Sequence, residues 1–166
     1  MQNPAIIQPG PKHAQALIQL AHTTWQATYP GIISQEQIDF MLERFYNPPL
    51  VESQLADPTQ FFRALQENNK LLAYLHAYEE NHALKVSKLY VLPTMQGRGF
   101  GQQLLQTVEN EALNRLLPRI MLHVNRFNPA YHFYLKQGYR VIETIDIPLE
   151  KFMLNDYIME KQLKTE

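Results

Sequence analysis

The chain has 166 residues, of which 45% are hydrophobic, and its 15 lysines and arginines nearly balance its 16 aspartates and glutamates. A chain of this length suits one domain, residues 1–166, which can bury a core of its own. The balanced charge provides no broad basic surface, so we expect no nucleic-acid partner and a small-molecule partner instead.

Composition also excludes several kinds of site. Without cysteine the chain has no disulfide framework, thiolate nucleophile or zinc–thiolate site. The six histidines show no paired metal-ligand spacing, so we expect no metal site. No stretch approaches the roughly 20 apolar residues of a membrane span, and the N-terminus does not resemble a signal peptide. We therefore expect a cytoplasmic protein without a membrane partner.

The first third of the chain predicts one short strand followed by helices. Pro11 suits the first turn of a helix in which Trp25 falls on the apolar face. Ser34 with Gln37 three residues later is a capping-box pattern that predicts the start of a second helix. The predicted elements are a strand over Ala5 to Gln8, a helix from Pro11 to near Tyr29-Pro30-Gly31, a helix from Ser34 up to Asn47-Pro48-Pro49, and a short helix over Leu50 to Ala56.

Predicted strands dominate the rest of the chain. Alanine and leucine alternate with Tyr74, His76 and Tyr78, so this strand carries bulk on both faces and is predicted to be central in its sheet. Strands are predicted over Phe61 to Gln66, Leu71 to Glu79, Ala83 to Leu92, Ile120 to Val124, Tyr139 to Ile147 and Phe152 to Lys161, with a turn around Pro148 before the last. With two strand-turn-helix units among them, they predict an α/β fold with a mixed sheet of six or seven strands and helices on both faces.

A glycine-rich turn separates the predicted strand over 83–92 from a helix. In Gln96-Gly97-Arg98-Gly99-Phe100-Gly101 the glycines stand at every second place, which allows positive φ and leaves the backbone N–H groups uncovered. Apolar residues at helical spacing from Phe100 predict a helix that begins at the glycines and ends before Pro118. Because the first N–H groups of a helix lack intrahelical partners, this turn suits a phosphate, and Arg98 adds positive charge.

The glycine spacing distinguishes three kinds of phosphate-binding turn. A P-loop requires Lys and then Ser or Thr after its second glycine, but Gln102 and Gln103 follow Gly101. The dinucleotide fingerprint G-x-G-x-x-G does not match the spacing of Gly97, Gly99 and Gly101. The remaining pattern, Gln-x-x-Gly-x-Gly, resembles the pyrophosphate-binding motif of the GNAT superfamily of N-acetyltransferases. The alternative is a strand-to-helix turn that holds no ligand.

A second segment strengthens the resemblance. Asn128 suits a helix N-cap, Pro129 the first helical position and Gly138 the residue past the end, which together predict a helix of about ten residues. This segment is similar to the second signature of GNAT enzymes at Asn128, Ala130, Phe133, Tyr134, Lys136, Gly138 and Tyr139. Other segments resemble a bacterial subgroup related to spermidine and spermine acetyltransferases, namely His22 to Trp25, Tyr29, Lys88 to Val91 and Asn155 to Glu160.

The resemblance implies a fold, a cofactor and a set of site residues. It implies a GNAT-like sheet that is mixed and mostly antiparallel, and acetyl-CoA as the cofactor, with pantetheine beside the strand that precedes the glycine turn. It also implies that Tyr134 acts as the general acid; Tyr131 lies on nearly the same helical face, and a core tyrosine is the alternative reading. The implied cofactor-binding residues are Leu89, Tyr90, Val91, Gln96, Gly97, Arg98, Gly99, Phe100, Gly101, Gln102, Asn128, Tyr134 and Lys136.

The general base has no clear candidate in the sequence. Many GNAT enzymes carry a glutamate shortly before the pantetheine-binding residues, but Lys85 to Ser87 contains no carboxylate. Glu79, Glu80 and His82 are candidates that would act through water, although residues in such positions are more often simply solvated loop residues. The missing base predicts higher activity at alkaline pH, where more of the amine is neutral.

Two classes of function remain open. The first is an acetyl-CoA-dependent N-acetyltransferase that moves acetyl directly to the primary amine of a small molecule or polyamine, or alternatively to a peptide or protein N-terminus. The second is a non-catalytic acyl-CoA-binding regulatory module, and Tyr134 favours the enzyme because binding alone needs no acid. Trp25 and Tyr29 occupy positions that line the acceptor groove in similar proteins, with a Trp that anchors helix to sheet as the alternative. A homodimer is left open.

Overall fold

The computed structural model describes residues 4–164 and contains a seven-stranded sheet with helices on both faces. The strands are β1 (Ala5–Ile7), β2 (Phe61–Glu67), β3 (Lys70–Glu80), β4 (Ala83–Val91), β5 (Arg119–Asn125), β6 (Arg140–Leu149) and β7 (Phe152–Gln162). The α-helices are α1 (Ala14–Thr28), α2 (Gln35–Phe45), α3 (Pro48–Ala56), α4 (Phe100–Asn114) and α5 (Ala130–Lys136). Between residues 4 and 164, none of the helices has the length and apolarity needed to cross a membrane.

The strand order is β1-β2-β3-β4-β5-β7-β6, and the only parallel pair among these described strands is β4 with β5. This confirms the predicted α/β class and the mixed, mostly antiparallel sheet. One face packs against α4 and α5 and buries Leu75, Leu84 and Leu122. The other face packs against α1, α2 and α3 and buries Phe62 and Tyr74. β3 pairs with a strand on each side and contributes buried side chains to both cores, so it is central as predicted.

Two helices begin at the side-chain caps that their sequences provide. Ser34 Oγ accepts a hydrogen bond from Gln37 N at 3.1 Å and starts α2. The Gln37 side chain donates to a backbone carbonyl of β7 at 3.4 Å, so the reciprocal half of a capping box is replaced by a contact to the sheet. Asn47 Oδ1 accepts from Leu50 N at 3.0 Å and starts α3 at Pro48, two residues before the predicted start.

Two predicted boundaries differ from the structure near prolines. The segment after Pro11 begins as a 3-10 turn over Pro11–His13, and the α-helix starts only at Ala14. The turn predicted around Pro148 is wrong, because Pro148 lies within β6 opposite Met153 and the chain reverses at Glu150 and Lys151. β6 is an edge strand of the sheet, so a missing N–H there need not remove a ladder hydrogen bond.

The second signature segment forms a helix shorter than expected. α5 has seven residues, against about ten expected from its flanking caps, and Pro129 occupies the N-cap rather than the first helical position. Asn128 nevertheless caps the segment from one residue earlier, since its Oδ1 accepts from Ala130 N at 2.9 Å. Gly138 lies just past the helix end with φ +92°, as predicted for a residue that closes a helix in the left-handed region.

The sheet splits in its middle. β4 and β5 pair only through Leu84 with Ile120, Lys85 with Met121 and Val86 with Leu122. Ser87 is then an extra residue in β4, since Ala77 of β3 pairs with Val86 and His76 pairs with Lys88. Beyond this bulge β4 follows β3 and β5 follows β7, so the two strands lose contact with each other. Backbone groups of residues 87–91 and 123–125 are left facing an opening in the sheet.

Candidate active site

The split opens into a large cleft. Its volume is about 1320 Å³, and its walls come from α1, α2, β4, the glycine turn, β5 and the start of α5. A cleft at the end of paired parallel strands, with a helix N-terminus at its rim, is where a mixed α/β sheet commonly binds its ligand.

The free edge of β4 forms one side of this cleft. Leu89, Tyr90 and Val91 line it, and among the described strands these three residues pair only with β3. The backbone N–H and C=O groups on the other edge can therefore pair with an extended ligand that carries amide groups of its own. Pantetheine is such a ligand, so this edge fits the cofactor expected from the sequence.

The glycine turn presents the N-terminus of α4 to the cleft. Gly97 and Gly99 both adopt φ +81°, and Gly99 is the N-cap of α4 without a side-chain cap. The first hydrogen bond of the helix runs from Gln103 N to Gly99 O at 3.1 Å. The N–H groups of the three preceding residues therefore have no acceptor within the helix. Gln96 Nε2 donates to Val91 O at 3.4 Å and ties the turn to β4. This arrangement fits a diphosphate.

Gly101 serves a different purpose from the other two glycines. Its φ is not positive, and a Cβ at this position would lie 3.0 Å from the ring of Phe133 in α5. The expectation that every glycine of the motif supplies backbone freedom is therefore wrong for Gly101. Its missing side chain instead lets α5 approach α4 closely.

Two residues predicted to bind the cofactor lie outside the cleft. Arg98 is exposed, with its Nη1 3.2 Å from Met95 Sδ. Lys136 is exposed at the end of α5, two residues beyond the cleft-lining Tyr134. Residues two apart point to nearly opposite sides of a helix, which accounts for the different directions of Tyr134 and Lys136. The structure thus brings the backbone of the motif to the site, but not these two cations.

Tyr134 reaches the cleft from α5. Its side chain is only 7% exposed, and within residues 4–164 its hydroxyl has no hydrogen-bond partner. Burial raises the pKa of Tyr134, and the nearby Tyr90 and Tyr29 raise it further, so the phenol keeps its proton at neutral pH. Tyr131, the competing acid, packs against Tyr157 with ring centroids 5.1 Å apart and does not line the cleft.

A network of aromatic side chains forms the wall beside α1. Trp25 Nε1 donates to Tyr90 Oη at 3.0 Å, and the hydroxyls of Tyr90 and Tyr46 are hydrogen-bonded to each other. Asn128 Nδ2 donates to Tyr29 Oη at 3.2 Å and so joins the start of α5 to the end of α1. Trp25 is buried and also lines the cleft, so it combines both roles expected for it: it anchors α1 to β4 and forms part of the wall.

His123 and Asp156 also line the cleft. Asp156 lies within the segment Asn155 to Glu160 that carries part of the resemblance, but the sequence assigns neither residue a role in the site. His123 follows the last β5 residue that pairs with β4, and its Nδ1 lies 3.9 Å from Asp156 Oδ2 on β7. Burial lowers the pKa of His123, whereas burial raises the pKa of Asp156 and the charges of Arg126 and Lys85 oppose that rise. The one local signal is that His123 interrupts the apolar run from Ile120 to Val124.

The base candidates from the sequence lie elsewhere. Glu80 pairs with Lys85 at 3.5 Å, Glu79 lies 3.9 Å from Arg115, and His82 is exposed in the turn between β3 and β4. None of these three residues lines the cleft. Lys88, in contrast, is buried and lines the cleft, although the sequence patterns assign it no role of its own in the site.

This fold and site define the class of protein. A split mixed sheet, an unpaired strand edge and a glycine turn at a helix N-terminus are the features that the resemblance to GNAT acetyltransferases implies. The model of the acetyltransferase (GNAT) family matches residues 15–139, and the chain belongs to this family. It is an N-acetyltransferase that uses acetyl-CoA.

Individual relatives are distant. The chain is 26% identical over 157 residues to spermidine N(1)-acetyltransferase of Thermoplasma acidophilum, with 91% of this chain and 92% of the relative covered. It is 30% identical over 94 residues to aminoalkylphosphonate N-acetyltransferase of Salmonella typhimurium, with 52% and 60% covered. The crystal structure of the PaiA N-acetyltransferase of Thermoplasma acidophilum in complex with coenzyme A superposes with a TM-score of 0.86 at 23% identity, covering 98% of this chain and 100% of that one.

We predict opposite effects of Gln102→Glu on the free and the ligand-bound protein. Gln102 is exposed in the first turn of α4 and lines the cleft. A glutamate there complements the helix dipole, which should stabilise the free protein by roughly 0.3–1 kcal/mol, but it also repels a diphosphate. Thermal-shift titration should show a higher Tm without ligand and a much smaller rise with acetyl-CoA. Gln103→Glu is the matched control, because Gln103 is exposed outside the cleft. Equal stabilisation of both variants by acetyl-CoA would place the diphosphate elsewhere.

Proposed function

We propose that the protein transfers acetyl directly from acetyl-CoA to the primary amine of a small molecule, with polyamines among the candidate acceptors. The observation that carries this proposal is that Tyr134 lines the same cleft as the His123–Asp156 pair. Acetyl transfer to an amine needs a group that removes a proton from the amine and a group that provides one to the departing thiol. His123 and Tyr134 supply one of each.

Asp156 provides the charge that an ammonium group requires. A primary amine with a pKa of ~10.4 is protonated in all but about one molecule in 2,500 at pH 7, so the enzyme meets its acceptor as a cation. The Asp156 carboxylate is partly buried, with 14% of its side chain exposed, and it faces the cleft. A carboxylate in such surroundings attracts a cation more strongly than one in water.

His123 accepts the proton. The lowered pKa of His123 keeps its imidazole neutral at pH 7, so a ring nitrogen is available as the base. When it takes the proton, Asp156 at 3.9 Å stabilises the resulting imidazolium. The positive charge thus moves from the amine to His123 while it stays close to the same carboxylate.

Tyr134 completes the reaction at the departing thiol. Acetyl-CoA supplies the thioester-activated acetyl group, and the reaction releases a thiolate. Tyr134 Oη holds a proton for that thiolate, and transfer from a phenol of pKa ~10 to a thiol of pKa ~8.5 is uphill by roughly 2 kcal/mol in unperturbed terms. Burial increases this cost by raising the pKa of Tyr134.

The named relatives support an amine acceptor without choosing one. Spermidine and aminoalkylphosphonates, the acceptors in the names of two relatives, share an amino group and differ in everything else. A peptide or protein N-terminus is the alternative acceptor, and a non-catalytic acyl-CoA-binding module on the same scaffold is the alternative function. We also propose that residues 1–166 form one domain, which the continuous sheet from Ala5 to Gln162 supports.

Thiol release from acetyl-CoA across a panel of acceptors tests the proposal. The panel contains n-propylamine, putrescine, spermidine, 3-aminopropylphosphonate and a dipeptide with a free N-terminus. We expect release of coenzyme A and a monoacetylated product with at least one small primary amine, at a kcat/KM above that of the dipeptide. A protein that binds acetyl-CoA but acetylates none of them would be the non-catalytic module instead.

We predict that Tyr134→Phe lowers kcat by about 10² to 10⁴ while acetyl-CoA binding stays unchanged, because the substitution removes only the proton donor. Single-turnover kinetics on saturated enzyme measure the chemical step directly. Tyr131→Phe is the matched control, since Tyr131 lies on the same helix outside the cleft. If Tyr134→Phe retains the wild-type rate of chemistry, the phenol is only a packing group.

We predict that the advantage of the wild type over His123→Gln shrinks as pH rises. The wild type uses the abundant ammonium form and a neutral imidazole, so its kcat/KM is nearly constant above the lowered pKa of His123. The variant depends on the neutral amine, which increases about tenfold per pH unit below pH ~10. The ratio of the two kcat/KM values should therefore fall about tenfold per unit between pH 7 and 9. The alkaline dependence expected from sequence would then belong to the variant.

The matched control is His22→Gln, which removes an exposed histidine outside the cleft. A ratio of wild type to His123→Gln that stays constant across this pH range would show that His123 positions the acceptor without taking its proton.

A further inference from the structure

Lys88 is a buried cation that faces the acceptor side of the cleft. The residue is only 7% exposed, yet it lines the cleft directly after the bulge in β4. Its Nζ donates to Phe45 O at 3.5 Å and lies 4.3 Å from the centre of the Tyr46 ring. The long hydrogen bond and the ring contact leave N–H capacity of the ammonium unused.

Lys88 has no carboxylate partner among residues 4–164. Lys85, the other lysine of this wall, pairs with Glu80 at 3.5 Å, whereas no described carboxylate lies within ion-pair distance of Lys88. Asp57 also lines the cleft, but it is exposed and accepts hydrogen bonds from Thr59. A buried ammonium without a counter-ion is costly, and proteins retain such a group where it meets a ligand.

The neighbours of Lys88 supply no second charge. His76 is its partner across β3 and β4, and burial together with Lys88 lowers the pKa of His76 to about 3, so this ring is neutral. His76 Nε2 is hydrogen-bonded to Gln60 Oε1 at 2.6 Å, while its buried Nδ1 has no partner in the described part of the chain. Burial lowers the pKa of Lys88 to about 8, which leaves most of it charged at pH 7.

Lys88 and the His123–Asp156 pair lie on opposite walls of the split. Val86 and Leu122 are the last residues that join β4 to β5, and Lys88 and His123 follow them on the two separated strands. Lys88 packs with Phe45 and Tyr46 from α2, which is the face of the sheet away from α4. The acceptor half of the cleft therefore has a cation on one wall and a carboxylate on the other.

We propose that Lys88 forms an anion subsite, so that the preferred acceptor is a small primary amine that also carries a carboxylate or phosphonate. Asp156 attracts the ammonium end and Lys88 the anionic end of the same molecule. This rests on the amine acetyltransferase function proposed above and narrows its substrate class. A second ammonium, as in putrescine or spermidine, would meet the charge of Lys88 at short range and be disfavoured.

Matched acceptors test this preference. We compare kcat/KM for 3-aminopropylphosphonate and 3-aminopropanoate with that for n-propylamine and putrescine, which have no anionic group. The wild type should favour the anionic acceptors at least tenfold, and Lys88→Gln or Lys88→Met should abolish the preference. Lys70→Gln, at the exposed first residue of β3, controls for net charge. A wild type that acetylates n-propylamine or putrescine equally well, or a preference that survives Lys88→Met, would overturn the subsite and leave the acetyltransferase function standing.

A binding experiment separates the subsite from turnover. Trp25 is the single tryptophan of the chain. Its indole N–H is hydrogen-bonded to Tyr90, and Tyr90 is hydrogen-bonded to Tyr46, whose ring lies beneath the Lys88 ammonium. With coenzyme A at saturation to occupy the glycine turn, propylphosphonate should change Trp25 fluorescence saturably in the wild type and not in Lys88→Met. Saturable binding to both proteins, or to neither, would overturn the subsite even if no amine is acetylated.

The Tm of Lys88→Met shows how much the buried ammonium of Lys88 destabilises the folded protein. Lys88→Met keeps the apolar stem and removes the unpaired ammonium, so its Tm without ligand should exceed that of the wild type. A higher Tm also establishes that the variant is folded, so that loss of anion preference reflects the missing charge. A Tm well below that of the wild type would mean that the ammonium is satisfied within the protein, which would contradict a role in ligand binding.

Discussion

The separation of β4 from β5 is the constraint on which the rest of this structure depends. Two parallel strands that stayed paired would use their backbone groups on each other and close the sheet. The extra residue at Ser87 ends that pairing after three residue pairs, and the strands then follow different neighbours. Unpaired backbone N–H and C=O groups in the middle of a sheet cost free energy, so the opening favours a ligand whose amide groups can pair with them. Every side chain assigned to the chemistry is placed by this opening.

Burial beside the opening raises the pKa of an acidic group and lowers the pKa of a basic one. It raises the pKa of Tyr134, so that the phenol keeps its proton, and it lowers the pKa of His123, so that the imidazole stays neutral. These are the protonation states that the proposed acid and base need at pH 7. The same environment makes the charge of Lys88 unfavourable, which is why its retention on the wall of the cleft points to a ligand.

The sequence predicts features that depend on local spacing and misses those that depend on strand register. The glycine turn and Tyr134 can be identified because neighbouring residues define them. Proximity of His123 to Asp156 depends on how β5 aligns with β7, and the position of Lys88 depends on a bulge that no local pattern reveals. A residue at a motif position also need not line the site. Lys136 matches the second signature, yet its side chain lies away from the cleft.

The contact between Gly101 and Phe133 joins two segments that are separate in the chain. One carries the turn that fits the diphosphate and the other carries Tyr134 next to that phenylalanine. Because a Cβ at residue 101 would lie only 3.0 Å from the ring, a larger side chain at position 101 would collide with Phe133. Over evolutionary time the two sites should therefore vary as a coupled pair, in which a larger residue at 101 becomes tolerable only after the ring at 133 is reduced, and substitution effects at the two sites should not add.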